Sequence, residues 1–265
     1  MYIIKDLIKY KTIIKQFTLR ELSIKYKGSV LGFSWTFITP ILMLVVYTFV
    51  FSEIFNSRWS QTDNGGHVEF ALLVFCGLIV FNIFSEVILR APTLIPSNVN
   101  LVKKVVFPLQ LLIINILFAT LVQAAISFTI LVTGVWIFMG GVHWTIVLLP
   151  VVILPLVLIT AGVGWIVSSL GVYFKDIGQF LGVFVQALML LSPIFYPVSL
   201  IPKNLLFIYN LNPITFVVED VRRIIVWGQL PQWEWTISGI VIGTILLIIG
   251  YKWFMKTKGG FSDVL

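Results

Sequence analysis

The chain has 265 residues, 59% of them hydrophobic and only 11% charged, with a net charge of +7 at pH 7 and a mean hydropathy of +1.04. A single water-soluble core cannot hide that much apolar surface, so the composition excludes an ordinary soluble domain. The positive charge does not point to nucleic acid either, because the basic residues flank the apolar blocks, where they set topology and meet lipid headgroups.

Residues 1–32 read as a basic cytoplasmic segment. Lys5, Lys9, Lys11, Lys15 and Arg20 interrupt it, so no signal-peptide hydrophobic region forms and the segment is expected to persist in the mature protein. On a helical projection Ile3, Leu7, Tyr10, Ile14 and Phe17 share one face, opposite Lys5, Lys9, Thr12, Gln16 and Arg20. That pattern predicts a helix lying in the headgroup layer, with Lys11 and Lys15 snorkelling from its flanks. A plain cytoplasmic extension that anchors topology is the alternative.

Residues 33–265 read as one transmembrane domain with six helical spans near 33–55, 70–89, 109–139, 144–174, 180–194 and 235–254. Several of these are uncharged over roughly the 20 residues that cross about 30 Å of hydrocarbon, and helices satisfy their own backbone groups in lipid. Pro92, Pro96 and the pair Lys103-Lys104 mark a connector over 90–108, Gly140-Gly141 end the third span, and Pro150 and Pro155 bend the fourth. The stretch 195–233 is too polar and proline-interrupted to span. Its apolar pieces at 205–208 and 214–218 are too short to cross and too greasy for a solvated loop, which predicts short re-entrant or interfacial helices. The fold class is therefore an all-α integral membrane protein. With both termini in the cytoplasm the inner segments hold fourteen Lys and Arg, against Arg58, Lys203, Arg222 and Arg223 outside, and the positive-inside rule selects that topology.

Much chemistry is missing from the sequence. It contains no G-x-x-x-x-G-K-[ST] phosphate loop and no H-E-x-x-H. His67 and His143 fall in predicted outer loops without other ligands, and Cys76 alone supports neither a disulfide nor a cysteine metal site. Ionisable residues are scarce in the spans, which argues against an ion-coupled carrier. Glu53 and Glu86 sit near predicted span ends and suit an interfacial role. Glu219 lies three and four residues from Arg222 and Arg223, and Asp220 three from Arg223, spacings that pair charges on a helix. Trp35, Trp144, Trp227, Trp233, Trp235 and Trp253 lie near predicted span boundaries, as interface belts do. Tyr47 and Phe51, one turn apart in the first span, offer flat apolar faces that suit sugar C–H surfaces; packing against helices or lipid is the other reading of each.

These residues lead to a resemblance. The run Lys25-Tyr26-Lys27-Gly28-Ser29-Val30-Leu31-Gly32-Phe33-Ser34-Trp35 with Pro40 is followed by Lys103-Lys104-Val105-Val106-Phe107-Pro108. Further on come Tyr173-Phe174-Lys175-Asp176-Ile177, Ser192-Pro193-Ile194-Phe195-Tyr196-Pro197 and Asn212-Pro213. In that order and spacing the chain resembles the permease subunits of ABC-2 type transporters that export lipid-linked polysaccharides: O antigen, capsule or wall teichoic acid. The resemblance implies a homodimer of six-span subunits in the cell (inner or plasma) membrane, forming a channel. It would be driven by two copies of a separate ATP-binding cassette subunit that holds ATP and magnesium, so no cofactor is expected in this chain. The partners implied are that ATPase, a second copy of the chain, the lipid-linked polysaccharide and membrane lipids.

The same resemblance assigns ATPase coupling to Asn100, Leu101, Val102, Lys103, Lys104 and Val105, with a second contact at Lys175 and Asp176. It assigns the interface helix and substrate access to Ile14, Phe17, Arg20, Lys25, Tyr26, Lys27, Gly28 and Gly32. Channel aromatics would be Tyr47 and Phe51, and the outer gate would include Pro193, Phe195, Tyr196, Pro197, Asn212 and Pro213. Two departures stand out: Lys175 replaces the arginine common before that aspartate, losing the bidentate fork, and Val80-Phe81 stand where the family often has Pro-Trp. An ABC-2 exporter of small hydrophobic molecules or drugs shares this topology. A membrane-embedded glycosyl- or acyltransferase is a further reading, although no paired carboxylates or histidine constellation is evident for it; a stand-alone channel or scaffold is another.

Overall fold

A computed structural model describes residues 2–25, 27–50, 67–103 and 107–265. The described residues form helices joined by turns. Two short helices open the chain, α1 (Tyr2–Lys9) and α2 (Lys11–Lys25). The expected interface helix is thus interrupted at Tyr10, although backbone bonding continues across it, with Tyr10 N donating to Asp6 O and Ile14 N to Tyr10 O, each at 2.9 Å. Gly28 and Gly32 follow with φ of +89° and +49°, values that L side chains rarely adopt, so these two glycines turn the chain from the surface helix into α3 (Trp35–Phe49). Phe51 and Glu53 lie outside the described residues, as do Tyr26, Lys104 and Val105.

The body of the fold is α4 (His67–Leu94), α6 (Leu111–Met139), α7 (Leu149–Tyr173) and α11 (Trp233–Thr257). Helix α4 has 28 residues, about 42 Å of axis, and is the most deeply buried, with Leu73, Val74, Cys76, Val80, Ile83 and Val87 fully enclosed. It runs on through Arg90 to Leu94, so the first residues expected in the 90–108 connector are helical. Pro92 is accommodated because Gly171 of α7 presents no side chain to its backbone. The connector then makes a short turn at Pro96–Asn98 and a small helix, α5 (Val99–Lys103). Helices α7 and α11 pack most closely: a Cβ on Gly162 would fall 2.5 Å from Leu246 O, and Gly250 abuts Gly162 in turn. Small residues let two backbones approach to this degree without a hydrophobic driving force between them.

Among the described residues five segments are long and apolar enough to cross a membrane: Gly32–Phe49, Val68–Leu94, Leu111–Met139, Trp144–Tyr173 and Trp233–Val264. The expected span at 180–194 corresponds to α8 (Ile177–Leu190), whose 14 residues reach only about 21 Å. The stretch 195–233 folds into α9 (Leu206–Leu211) and α10 (Pro213–Ile225). A last short helix, α12 (Phe261–Val264), packs against α5 and α7. Because α12 touches α5 and Asp6 of α1 bonds Gln110 and Tyr251, both ends of the chain lie at the α5 end of the bundle.

Candidate functional site

Three regions of the molecule concentrate polar side chains. The first is the seam between the surface helices and the bundle. The Asp6 carboxylate accepts from Gln110 Nε2 at 3.0 Å and from Tyr251 Oη at 2.9 Å, and Glu21 pairs with Arg90. Lys25 Nζ donates to Glu86 Oε1 at 2.8 Å and to Gln123 Oε1 at 2.7 Å. Polar ties from α1, α2 and the end of α2 therefore fasten the surface segment to α4, α6 and α11. Ile14 is buried, Phe17 packs on Phe107 with centroids 5.0 Å apart and the rings tilted by 37°, and the Arg20 guanidinium covers Phe17 at 5.5 Å. Lys27 is exposed. Between α2 and α6 runs an apolar groove of about 430 Å³, floored by Ile14, Leu22, Phe118 and Val122 and rimmed by Lys11 and Lys15.

The second region holds the residues assigned to ATPase coupling. Asn100, Lys103, Lys175 and Asp176 are exposed, while Leu101 and Val102 turn half-buried against the core. The two expected contacts are brought to one end of the bundle. Helix α12 packs against α5 on one side and the end of α7 on the other, with Tyr173 Oη bonded to Thr257 O at 3.1 Å.

The third region lies at the opposite end, where the turn after α8 meets α10. Arg222 is fully buried. Its Nε donates to Leu73 O at 3.1 Å, Nη1 to Pro193 O at 2.7 Å and Glu219 Oε1 at 2.8 Å, and Nη2 to Ile194 O at 2.8 Å. The fork geometry of arginine lets one cation hold several carbonyls at once, which pins 193–194 and α10 onto α4. Gly77 leaves the room: a Cβ there would stand 3.2 Å from Arg222 Nη2. The expected helical pairing is thus realised in Glu219–Arg222. Asp220 instead turns to the start of α11, accepting from Gln232 N at 2.8 Å and Thr236 Oγ1 at 2.9 Å. Burial raises its carboxyl above the ordinary range, and those two hydrogen bonds and the Arg223 charge pull it back.

Asn212 caps α10 by accepting from Ile214 N at 3.0 Å and donates to Ser192 Oγ at 2.8 Å, while Pro213 occupies the first helical position. Tyr196 Oη meets Tyr209 Oη and Leu190 O, each at 2.7 Å, and burial raises its phenol further above its usual range, with Tyr209 adding to the shift. Phe195 is half-buried against the core, and Pro197 opens the turn Val198–Leu200. Tyr47 is half-buried against the core.

Sequence reading missed Asp6, Gln110, Asn82, Thr120 and Gln123. The amides Asn82 and Gln123 had a visible signal, since each interrupts an otherwise apolar span. Asp6 had none, because its partners lie far along the chain. Among the described residues no group of three or more His, Cys, Asp or Glu could hold a metal ion.

A bundle of long apolar helices with polar ties at both ends and a basic surface helix at one is the architecture of a multi-pass membrane protein. The ABC-2 type transporter family model matches residues 12–226, and the chain belongs to that family. It is 25% identical over 256 residues to the O-antigen export system permease protein RfbA of Klebsiella pneumoniae, covering 94% of this chain and 93% of that one. It is 24% identical over 263 residues to RfbA of Myxococcus xanthus, covering 98% of each. The polysialic acid transport protein KpsM of Escherichia coli is 26% identical over 226 residues, 84% of each.

Proposed function

We propose that this chain is the permease subunit of an ATP-driven exporter that moves a lipid-linked polysaccharide across the cell membrane. The observation that carries this reading is the nearly end-to-end alignment with O-antigen export permeases, which covers 98% of both chains in one case. A sugar headgroup does not cross hydrocarbon unaided, so two copies of the chain enclose a channel between them. Six passes per copy, with the short α8 as the fifth, leave both termini in the cytoplasm, in keeping with the excess of Lys and Arg there. A separate ATPase, present in two copies, binds ATP and magnesium and docks on the connector 90–108 and on Lys175-Asp176. The exposure of Asn100, Lys103, Lys175 and Asp176 around α12 supports that assignment.

The groove beneath α2 admits the substrate. Its apolar floor suits a prenyl chain, and Lys11 and Lys15 suit the attached phosphates. At the far end, α9 and α10 dip into the outer leaflet as gate helices, held shut by the Arg222 ties and the Tyr196–Tyr209 bond. The test is co-purification with the partner ATPase, followed by mass spectrometry of retained lipid. A prenyl-diphosphate glycan is expected. Recovery of sugar-free amphiphiles alone would redirect the assignment to export of small hydrophobic molecules, and failure to stimulate any ATPase would redirect it to a stand-alone channel.

A further inference from the structure

Between α4 and α6, under the end of α2, lies a cavity of about 240 Å³ lined by Lys25, Asn82, Glu86, Thr120, Gln123 and Ser127. Asn82 and Gln123 each stand about 18 Å along the axis from their helix ends at Leu94 and Leu111, deep for a hydrocarbon layer about 30 Å thick. Polar groups at that depth are expensive and mark a pathway or a site rather than packing.

Two features say what the cavity accepts. The Lys25 ammonium is committed to Glu86 Oε1 and Gln123 Oε1, so the cavity carries a neutralised ion pair and offers an anion no free cation. Thr120 is 97% buried, being 3% exposed, and among the described residues its hydroxyl has no hydrogen-bond partner. On the same helix Ser127, Thr129 and Thr133 each return their hydroxyl to the carbonyl four residues back, at 3.1, 2.9 and 2.8 Å. Thr120 does not, and it lines the cavity with its hydrogen-bonding capacity unused. A buried polar group left in that state is costly unless something fills the space.

We propose that this cavity is a subsite for one uncharged sugar unit of the transported glycan, held through its hydroxyls. Sugar hydroxyls donate and accept at the same atom, and so do the groups presented: the Thr120 hydroxyl and the Asn82 amide at the exposed mouth. The subsite rests on the polysaccharide-export reading above and deepens it.

The experiment uses the permease–ATPase complex in lipid nanodiscs and, in parallel, surface-glycan export by cells. The probe is the oligosaccharide freed by mild acid from the cell's own surface polysaccharide, followed by saturation-transfer NMR. Thr120→Val keeps the shape and removes the hydroxyl, Thr120→Ser keeps the hydroxyl, and Asn82→Ala alters an exposed side chain that folding does not need. Thr120→Val and Asn82→Ala are expected to weaken sugar binding and export at least fivefold, with Thr120→Ser close to the original. The thermal midpoint of Thr120→Val should be unchanged or higher, an outcome that a purely structural hydroxyl would not combine with lost binding. Undiminished binding and export in Thr120→Val and Asn82→Ala would overturn the subsite, leaving bridging water as the occupant, while the exporter reading stood. Displacement of the sugar signal by inorganic pyrophosphate would overturn it in favour of an anion site. If the unsubstituted complex neither binds the oligosaccharide nor exports glycan, the exporter reading itself fails.

Discussion

Arg222 Nη2 donates to the carbonyl oxygen of Ile194 at 2.8 Å, closing the turn after α8 onto α10. Because the same side chain also holds Leu73 O and Pro193 O, one residue joins three stretches of chain. Arg222→Met leaves those buried carbonyls without their donor and should lower stability by about 3–5 kcal/mol, the range for breaking a buried charged network. Arg222→Lys keeps the charge without the fork and should lose less. Thermal unfolding of the purified protein in detergent checks both, and an unchanged midpoint for Arg222→Met would contradict the pinning role.

The α7–α11 contact depends on absent side chains. Gly162→Leu drives a branched side chain into the Leu246 backbone and should destabilise by about 1–3 kcal/mol or more. Gly182→Leu is the control, since a Cβ there meets nothing within 4 Å. Equal thermal midpoints for the two variants would show that α7 and α11 do not approach as described.

One oxygen of Asp6, Oδ2, accepts both donors, from Gln110 and Tyr251, so asparagine keeps an acceptor there but removes the negative charge that strengthens both bonds. Asp6→Asn should therefore weaken both bonds by taking away their charge assistance, about 1.5 kcal/mol in all or roughly a tenfold rise in amide hydrogen exchange across α1. Hydrogen–deuterium exchange resolved to the first ten residues measures this. Exchange rising equally throughout the bundle would mean that the tie is global rather than local.

Ile14 and Phe17 build the apolar side of the surface helix, Ile14 in the groove and Phe17 on Phe107. Ile14→Asp combined with Phe17→Asp should cut glycan export severalfold while leaving dimer assembly and ATPase binding intact. Export assays alongside size-exclusion chromatography of the complex decide it. Unchanged export would remove the groove from the substrate route.

Much of this molecule was legible in the order of its residues. Hydropathy alone required membrane helices, because 59% hydrophobic residues cannot be hidden otherwise. The short apolar pieces between prolines in 195–233 marked short helices in place of a span, and the spacing of Glu219 and Arg222 marked their pair. All of these are local signals, carried by composition, periodicity or a few adjacent residues. The depth of Glu86 was not legible. It read as an end-of-span carboxylate, and only the docking of α2 supplies the Lys25 ammonium that settles it in the bundle.

The sequence by itself determined the class of protein, the approximate positions of its long apolar helices and its family. The tertiary structure alone decided which polar residues hold the ends together, since Arg222 reaches Leu73 across 149 residues and Asp6 reaches Tyr251 across 245. Local patterns report which face of a helix is apolar. They do not report which distant helix will present a carbonyl or a hydroxyl to it, and that depends on how the long helices pack.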